Sequence, residues 1–590
     1  MKTIKDVAAY SGVSLTTVSR VVNGSDKVSP KTKAKVDQAI KELGYFPNNA
    51  ARSLVKKQTD SIAILLRNIH DPFFTDLIRG IEDASATLGR NIIFCSPGKD
   101  EKVRDRYIEY LTNGISDAII LYGSLFTDKA MVEHLQEVGF PFLLIENNFQ
   151  MMPVNRLLVT MALPIMISMI IQAMYNIVDS LFVARISEQA LTAVSLAYSV
   201  QNLLIGVAVG TGVGVNSLLS RYLGEQNREG VNKTAVNGIF IMLVTYLFFL
   251  VFGLFFTRTF FKLQTDSEEI IELGVQYLSI CLIFSVGVLE QVVLERILQG
   301  TGKTIYTMIT QGAGAVINII LDPILIFGLL GFPRMGISGA AIATVTGQLA
   351  GMGMNVYFNK RVNHEVQFVF RGFRPDMGII KQIYRVGIPA IVMQSIASVM
   401  TFGLNQILIS YTATAAAVMG VYFKIQSFIF MPVFGLNNGM IPIIGYNLGA
   451  GRPERIRKAI HYSLGYATAI MAAGFVLSQV FAVEIMAMFN ASEHMMSIGV
   501  TALRVISFGY LSASVSVIYS AVFQALGRGM ESLVISFFRQ LIVLLPAACI
   551  LAAMFGLDAL WWSFPISETM AALLAWVWWK HIRRQMAGQV

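Results

Sequence analysis

The chain has 590 residues, of which 54% are hydrophobic and only 14% charged. Soluble globular chains carry about 25% charged residues, so a wholly soluble protein is excluded and much of the exterior must face lipid. The formal net charge of +9 is unevenly placed: residues 1–150 hold 19 Lys and Arg against 18 Asp and Glu, and residues 151–590 hold 27 against 19. A soluble segment therefore precedes a polytopic, mainly α membrane part. Cys95, Cys281 and Cys549 are too few and too scattered for a disulfide framework or a metal site.

The N-terminus runs straight into an amphipathic helix rather than an apolar signal region, so the soluble segment is expected to stay in the cytoplasm. Ile4 to Tyr10 reads as a short helix with Val7 and Ala8 inward, Gly12-Val13 as a turn, and Ser14 as the cap of a second helix reaching about Asn23. Two short helices joined by a Gly-containing turn make a helix-turn-helix, whose second helix fits the major groove. That helix presents Leu15, Thr16 and Arg20. Arg20 can bond guanine O6 and N7, and Leu15 can meet a thymine methyl. Ser14, Thr17, Ser19 and Asn23 are short donors suited to phosphate. A third helix over Pro30–Leu43 closes the core with Val36, Ile40 and Leu43.

The string Ile4-Lys5-Asp6-Val7-Ala8, Gly12-Val13-Ser14, Thr17-Val18-Ser19-Arg20-Val21-Val22-Asn23 resembles the lactose/galactose repressor (LacI-type) family. So do Gly44-Tyr45-x-Pro47-Asn48 and Ala51-Arg52-Ser53-Leu54. The resemblance implies that the stretch after Pro47 forms a helix on DNA, with Ala51 and Leu54 as contacts and Leu54 wedged into the minor groove. Operator DNA is thereby an implied partner of residues 1–58.

From residue 60 to 150 short apolar runs (Ser61–Leu66, Asn91–Cys95, Ala118–Leu121, Phe142–Ile145) alternate with helical periods (Phe73–Leu88, Arg104–Asn113, Lys129–Val138). Alternation of this kind predicts a parallel sheet with right-handed crossovers. Asp71-Pro72-Phe73-Phe74 and Arg79-Gly80-Ile81-Glu82 resemble the first lobe of the repressors' sugar-binding-type sensor. The pattern stops near Asn147–Gln150 without a second lobe, so this partial α/β lobe is not expected to sense a sugar.

From Leu157 onward the apolar segments are long enough to span a bilayer, and twelve spans are predicted, near 171, 207, 246, 285, 317, 348, 397, 430, 471, 510, 543 and 570. Basic residues such as Arg371, Arg374, Arg452, Arg455, Arg457, Lys458, Arg583 and Arg584 fall in loops of one parity. Arg185, Arg258, Lys262 and Arg334 fall in the other. The positive-inside rule then puts both termini in the cytoplasm of a multi-pass plasma (inner) membrane protein. An internal repeat has a constant offset of 225: Pro164 with Pro389, Gly210 with Gly435, Gly214 with Gly439, Leu223-Gly224 with Leu448-Gly449, Gln299 with Gln524 and Gly302 with Gly527. Six spans per repeat insert with one orientation, which is transporter architecture with a substrate path between the halves. The expected organisation is 1–58, 59–150, 151–370 and 371–590.

Ionisable residues inside spans cost roughly 2.5–3.5 kcal/mol each and mark function. Asp179 shares a helix face with Asn176, and Asp322 shares one with Asn318. Glu295 closes the fourth span, with Glu290 a turn and a half before it. A carboxylate beside an amide can hold Na⁺ or a proton; the plain alternative is hydrogen-bonded helix packing, and for Glu295 pairing with Arg296 or Lys303. Lys424 and Glu568 are further candidates.

Ala162-Leu163-Pro164-Ile165-Met166, Tyr175-Asn176-x-x-Asp179, Leu298-Gln299-x-x-Gly302-Lys303, Asn318-x-x-x-Asp322-Pro323 and Gly339-Ala340-Ala341-Ile342-Ala343-Thr344 resemble the multidrug and toxic compound extrusion family, in its staphylococcal-type branch. The resemblance implies export of cationic, drug-like amphiphiles in exchange for H⁺ or Na⁺, with no cofactor. By position it makes Asp179, Asn318, Asp322 and Thr344 a first-half ion site, where Na⁺ is one occupant. The seventh and eighth spans hold no acidic residue, a departure from relatives with a second-half carboxylate there.

Gln150-Met151-Met152-Pro153 offers no Gly/Ser linker. Three readings of the join stay open: a transporter with a truncated repressor ahead of it, a membrane-tethered regulator, or a fusion artefact with translation starting near Met151. An enzyme is a poor rival, since Gly300-Thr301-Gly302-Lys303-Thr304 has Ile297 where a phosphate-binding loop needs Gly. A channel is the better rival.

Overall fold

The computed structural model describes residues 2–24, 27–46, 58–66, 72–96, 101–122, 134–145, 152–489 and 491–587. They divide into two compact units, Met1–Met151 and Met152–Val590.

The first unit begins with α1 (Ile4–Ser11), α2 (Leu15–Val22) and α3 (Pro30–Leu43). Each start is chemically marked. Asp6 accepts from the Thr3 amide at 2.7 Å, Ser14 Oγ accepts from the Thr17 amide at 3.2 Å, and Ser29 Oγ accepts from the Thr32 amide at 3.3 Å. These bonds satisfy amides that the first helical turn leaves open. Gly12 and Gly44 end α1 and α3 with φ of 62° and 58°, the left-handed conformation that glycine adopts without strain. Val7, Val18, Val21, Val36 and Ala39 are buried together, with Ile40 and Leu43 packed against them.

A four-stranded parallel sheet follows: β1 (Ser61–Leu66), β2 (Asn91–Cys95), β3 (Ala118–Tyr122) and β4 (Phe142–Ile145), in the order β2-β1-β3-β4. Helices α4 (Pro72–Thr87) and α5 (Glu101–Thr112) make the crossovers between β1, β2 and β3. Of the predicted third crossover, residues 129–133 lie outside the described residues, and His134–Glu137 are helical. The sheet's lower end is tied by Asp117. Its carboxylate accepts from the Thr59 amide at 2.6 Å and the Asp60 amide at 2.9 Å, and from Arg90 Nη1 at 3.3 Å. Burial alone would raise this carboxyl, but the Thr59 and Asp60 bonds and Arg90 outweigh it and hold the group below its ordinary 3.8. A depressed acid stabilises the fold fully above its unfolded value and loses that contribution as pH falls through the folded value. Amide protection of β1 and β3 in the full chain is therefore expected to fall as pH drops through and below the ordinary carboxylate range, and Asp117→Asn should flatten that dependence. Hydrogen exchange at stepped pH checks it.

The second unit is helical: α6 (Val154–Ala184), α7 (Glu188–Gly224), α8 (Arg228–Phe255), α9 (Glu268–Ile283), α10 (Val286–Gly300), α11 (Thr304–Phe327), α12 (Ile337–Arg361), α13 (Met377–Tyr411), α14 (Ala413–Gly449), α15 (Pro453–Val480), α16 (Glu493–Ser507), α17 (Gly509–Ala525), α18 (Gly529–Phe537), a π-helical turn (Phe538–Leu544), α19 (Leu545–Phe555) and α20 (Ser563–Ala587). Among the described residues eight helices are long and apolar enough to cross a membrane. The pairs α9–α10 and α16–α17, bent by 44° and 49°, raise the number to ten. This is fewer than the twelve predicted. The segments predicted near 348 and 570 are helices of 25 residues, α12 and α20, but neither reaches that apolarity. Polar Gln348, Asn355 and Asn359 dilute α12, and α20 ends in Lys580-His581-Ile582-Arg583-Arg584.

Close packing in this unit recurs at the 225-residue offset. A Cβ at Gly210 would meet Ile391 Cγ1 at 2.5 Å, and one at Gly435 would meet Met166 Cα at 2.6 Å; 210 and 435, like 166 and 391, differ by 225. A Cβ at Gly224 would overlap the Tyr446 carbonyl oxygen, and one at Gly449 the Arg221 carbonyl oxygen, again a reciprocal pair. The C-terminal halves of α7 and α14 thus approach backbone to backbone, which only glycine permits.

Candidate functional site

Five helices converge on one polar group inside residues 152–361. Asp322 and Asn318 lie four residues apart on α11, and both are buried, with Asp322 at 0% exposure. Asn318 Nδ2 donates to Thr344 Oγ1 of α12 at 3.3 Å. Asp179, half-buried on α6, lies within electrostatic reach of Asp322. Tyr175, one turn before it, sits beside Thr344 and near both aspartates. From α7, Gln201 Nε2 donates to the Tyr277 hydroxyl of α9 at 3.4 Å, and Cys281 lies beside that pair. Gln201, Cys281 and Gln348 also line a small cavity.

This group brings together Asp179, Asn318, Asp322 and Thr344 as predicted; the side chain of Asn176 lies outside the described residues. Tyr175, Gln201, Tyr277 and Cys281 were not predicted as site residues. Both carboxylate oxygens of Asp322, Oδ1 of Asp179 and Oδ1 of Asn318 are buried and accept from no N–H or hydroxyl among the described residues, while the two carboxyl groups lie within hydrogen-bonding reach of each other. Burying an unpaired carboxylate is costly, so these oxygens are chemically suited to a proton or a small hard cation. Among the described residues no cluster of three or more His, Cys, Asp or Glu could hold a metal ion; the carboxylates here are a pair completed by amide and hydroxyl oxygens.

Glu295 belongs elsewhere. It is buried on α10 and accepts from Gln291 at 2.9 Å, Gln311 at 2.7 Å and Asn355 at 3.5 Å. From Gln311 to Asp322 is eleven residues of helix, about 16 Å, so Glu295 does not join the aspartate group. No ion pair to Arg296 or Lys303 is formed among the described residues; Arg296 turns instead to Gln299 at 3.0 Å and Asn438 of α14 at 2.8 Å. Lys424 lies over the Phe489 ring at 5.9 Å.

In the first unit, Leu15, Thr16 and Arg20 are exposed on α2, while Val18 and Val21 are buried. Ser14 and Thr17 join their hydroxyls at 2.8 Å within the cap, and Asn23 donates to Ser19 at 3.3 Å. Ala51 and Leu54 lie outside the described residues.

The family model MatE matches residues 164–324 and 389–550, more than half of the chain. The chain belongs to the MatE family. It is a secondary transporter, not an enzyme, and it carries a LacI-type segment ahead of the transporter. Residues 3–48 match the bacterial regulatory proteins of the lacI family, and residues 59–184 match the periplasmic binding proteins and sugar binding domain of the LacI family. The second of these matches runs on into α6, where it overlaps the MatE match. The multidrug export protein MepA of Staphylococcus haemolyticus is 28% identical over 70% of this chain and 90% of its own length. An FAD transporter of Shewanella oneidensis is 25% identical over 71% and 93%. Among solved structures, a transporter of the MOP superfamily from Pyrococcus furiosus has 26% identity and a TM-score of 0.69, covering 74% of this chain and 97% of that one.

Proposed function

We propose that residues 151–590 form a cation-coupled antiporter exporting cationic, drug-like amphiphiles, in which Asp179, Asn318, Asp322 and Thr344, and by its sequence spacing Asn176, hold the coupling ion, H⁺ or Na⁺. The observation that carries this reading is Asp322, wholly buried with no N–H or hydroxyl donor on either oxygen and within hydrogen-bonding reach of a second carboxylate. An ion taken up there offsets the cost of the buried charge. Its release leaves the pair repelling, so occupancy biases how the helices pack. Glu295, held by three carboxamides, is proposed as a separate buried carboxylate on the route between that site and the cytoplasm.

The transporter is read as two six-helix repeats, 151–370 and 371–590, with α12 and α20 as the sixth and twelfth spans. The reciprocal contacts at the 225-residue offset support this, and so does the two-part MatE match. The basic loops favour cytoplasmic termini. The tight C-terminal ends of α7 and α14 then close the cytoplasmic side, an outward-facing arrangement. The likeness to a multidrug exporter supports the substrate class. The likeness to an FAD transporter makes an anionic nucleotide the rival substrate.

In a drug-sensitive bacterial host, the full chain should speed ethidium efflux, and dissipating the H⁺ or the Na⁺ gradient should stop it. Efflux that neither ionophore touches would defeat the coupling claim.

Residues 1–58 are proposed to bind operator-type DNA, a reading favoured by the exposed face of Leu15, Thr16 and Arg20 on α2. Phosphate contact makes such binding steeply salt-dependent. Arg20→Ala should cost about 1–3 kcal/mol of base discrimination, measured by DNA titration of the detergent-solubilised full chain. Residues 59–150 are read as a lobe without effector function.

A further inference from the structure

The two halves treat their membrane carboxylates differently. In the first half, Asp179 and Asp322 form no ion pair with a basic side chain among the described residues. In the second half, Glu568 of α20 does. Arg539 Nη1 lies 3.2 Å from its Oε1 and 3.4 Å from its Oε2, and Ser516 Oγ of α17 donates to Oε2 at 3.1 Å. The pair is mostly shielded, with Arg539 at 22% and Glu568 at 17% side-chain exposure. Tyr422 of α14 lies within electrostatic reach of both groups, and its ring packs on Phe564 at 5.7 Å.

The repeat locates this pair. Glu568 precedes Thr569, the counterpart of Thr344 at the 225-residue offset, and so lies at the register of the first-half ion site. Arg539 corresponds to Gly314, where α11 packs on the Gly347 carbonyl and a Cβ would sit 3.0 Å from it. A guanidinium in that register needs room. Arg539 lies in the π-helical turn Phe538–Leu544, whereas α11 is continuous α-helix. Such turns widen the backbone and often mark functional positions.

We propose that Arg539 is a tethered cation: it fills permanently, from the chain itself, the role that the coupling ion plays at Asp179 and Asp322. The second half then carries a self-neutralised carboxylate, and only the first half exchanges ions. Arg539 is a positioning residue that sets how many cations move per drug molecule. On the elements packed against it, Glu568 faces Arg539, Ser516 and Tyr422, so removing the guanidinium leaves a carboxylate with a hydroxyl partner and no cation.

This inference rests on the antiport reading, and the test separates the two. The full chain is reconstituted in proteoliposomes with the membrane potential clamped, and the ion gradient that just balances a fixed ethidium gradient is measured. In Arg539→Gln a mobile cation is expected to replace the guanidinium, adding one coupling cation per ethidium. In the double variant Arg539→Gln/Glu568→Gln, neutral as the native pair is, the wild-type ratio should return. An unchanged ratio in Arg539→Gln, failure of that variant to insert, or a double variant without the wild-type ratio overturns the proposal. A wild-type chain with no ion-driven export would instead overturn the antiport reading itself.

Discussion

Asp322→Asn is expected to abolish uphill export while leaving the chain inserted and folded. Asn has nearly the shape of Asp, so the packing of α11 against α6 and α12 survives, and the Asn318–Thr344 bond does not involve the substituted group. What disappears is the charge. A neutral amide at a position with 0% exposure cannot trade a proton or Na⁺ between the two sides, so drug movement and ion movement become independent. In proteoliposomes the variant should drop from gradient-driven accumulation to baseline, with equilibrating ethidium exchange retained. Uphill export at the wild-type rate would remove Asp322 from the coupling role. Glu295→Gln should be milder, because each of its three partners is a carboxamide able to turn and bond the new amide.

Gly449→Ala, and equally Gly224→Ala, should impair the cycle through packing alone. Each new methyl would overlap a carbonyl oxygen of the opposite half, Arg221 or Tyr446. Backbone cannot rotate aside as a side chain can. Overpacking of this kind costs about 1–3 kcal/mol, which corresponds to about 5–150-fold in the population of an arrangement. The closed contact between α7 and α14 should therefore open, and export should fall by at least about fivefold. Gly420→Ala on α14, where a Cβ meets nothing within 4 Å, is the control and should export normally. Distances between spin labels on the C-terminal ends of α7 and α14 report the opening directly. Unchanged distances in Gly449→Ala would show that the contact does not hold the halves together.

Much of the fold is legible in the residues because its signals are local. The cap at Ser14, the turn at Gly12-Val13 and short apolar runs place the three N-terminal helices and the four strands to within about a residue or two. Helical spacing likewise puts Asp322 with Asn318. Periodicity says which side chains share one helix face, however, and not which helices meet. Tyr175 stands four residues before Asp179, a spacing that marks it as a face neighbour; Gln201, Tyr277 and Cys281 come from two other helices, and no spacing rule joins them to the aspartates. The same limit explains Glu295. Its neighbours in sequence, Arg296 and Lys303, suggested an ion pair, but helical rotation turns Arg296 toward Asn438 and leaves Glu295 to Gln311 and Asn355. The breaks at 283–286 and 507–509 fall at Ser285 and Gly287 and at Ser507 and Gly509, a kink signal that span-length apolarity averages away, and the π turn carries the polar pair Arg539-Gln540.

The most direct test is ion-driven transport by the purified full chain in proteoliposomes, with an imposed H⁺ or Na⁺ gradient and ethidium initially equal on both sides. Antiport predicts that one of the two gradients drives ethidium uphill, that collapsing it reverses the accumulation, and that Asp322→Asn removes it. Ethidium that only equilibrates, at the same rate with or without either gradient, would contradict antiport and identify a channel-like path instead.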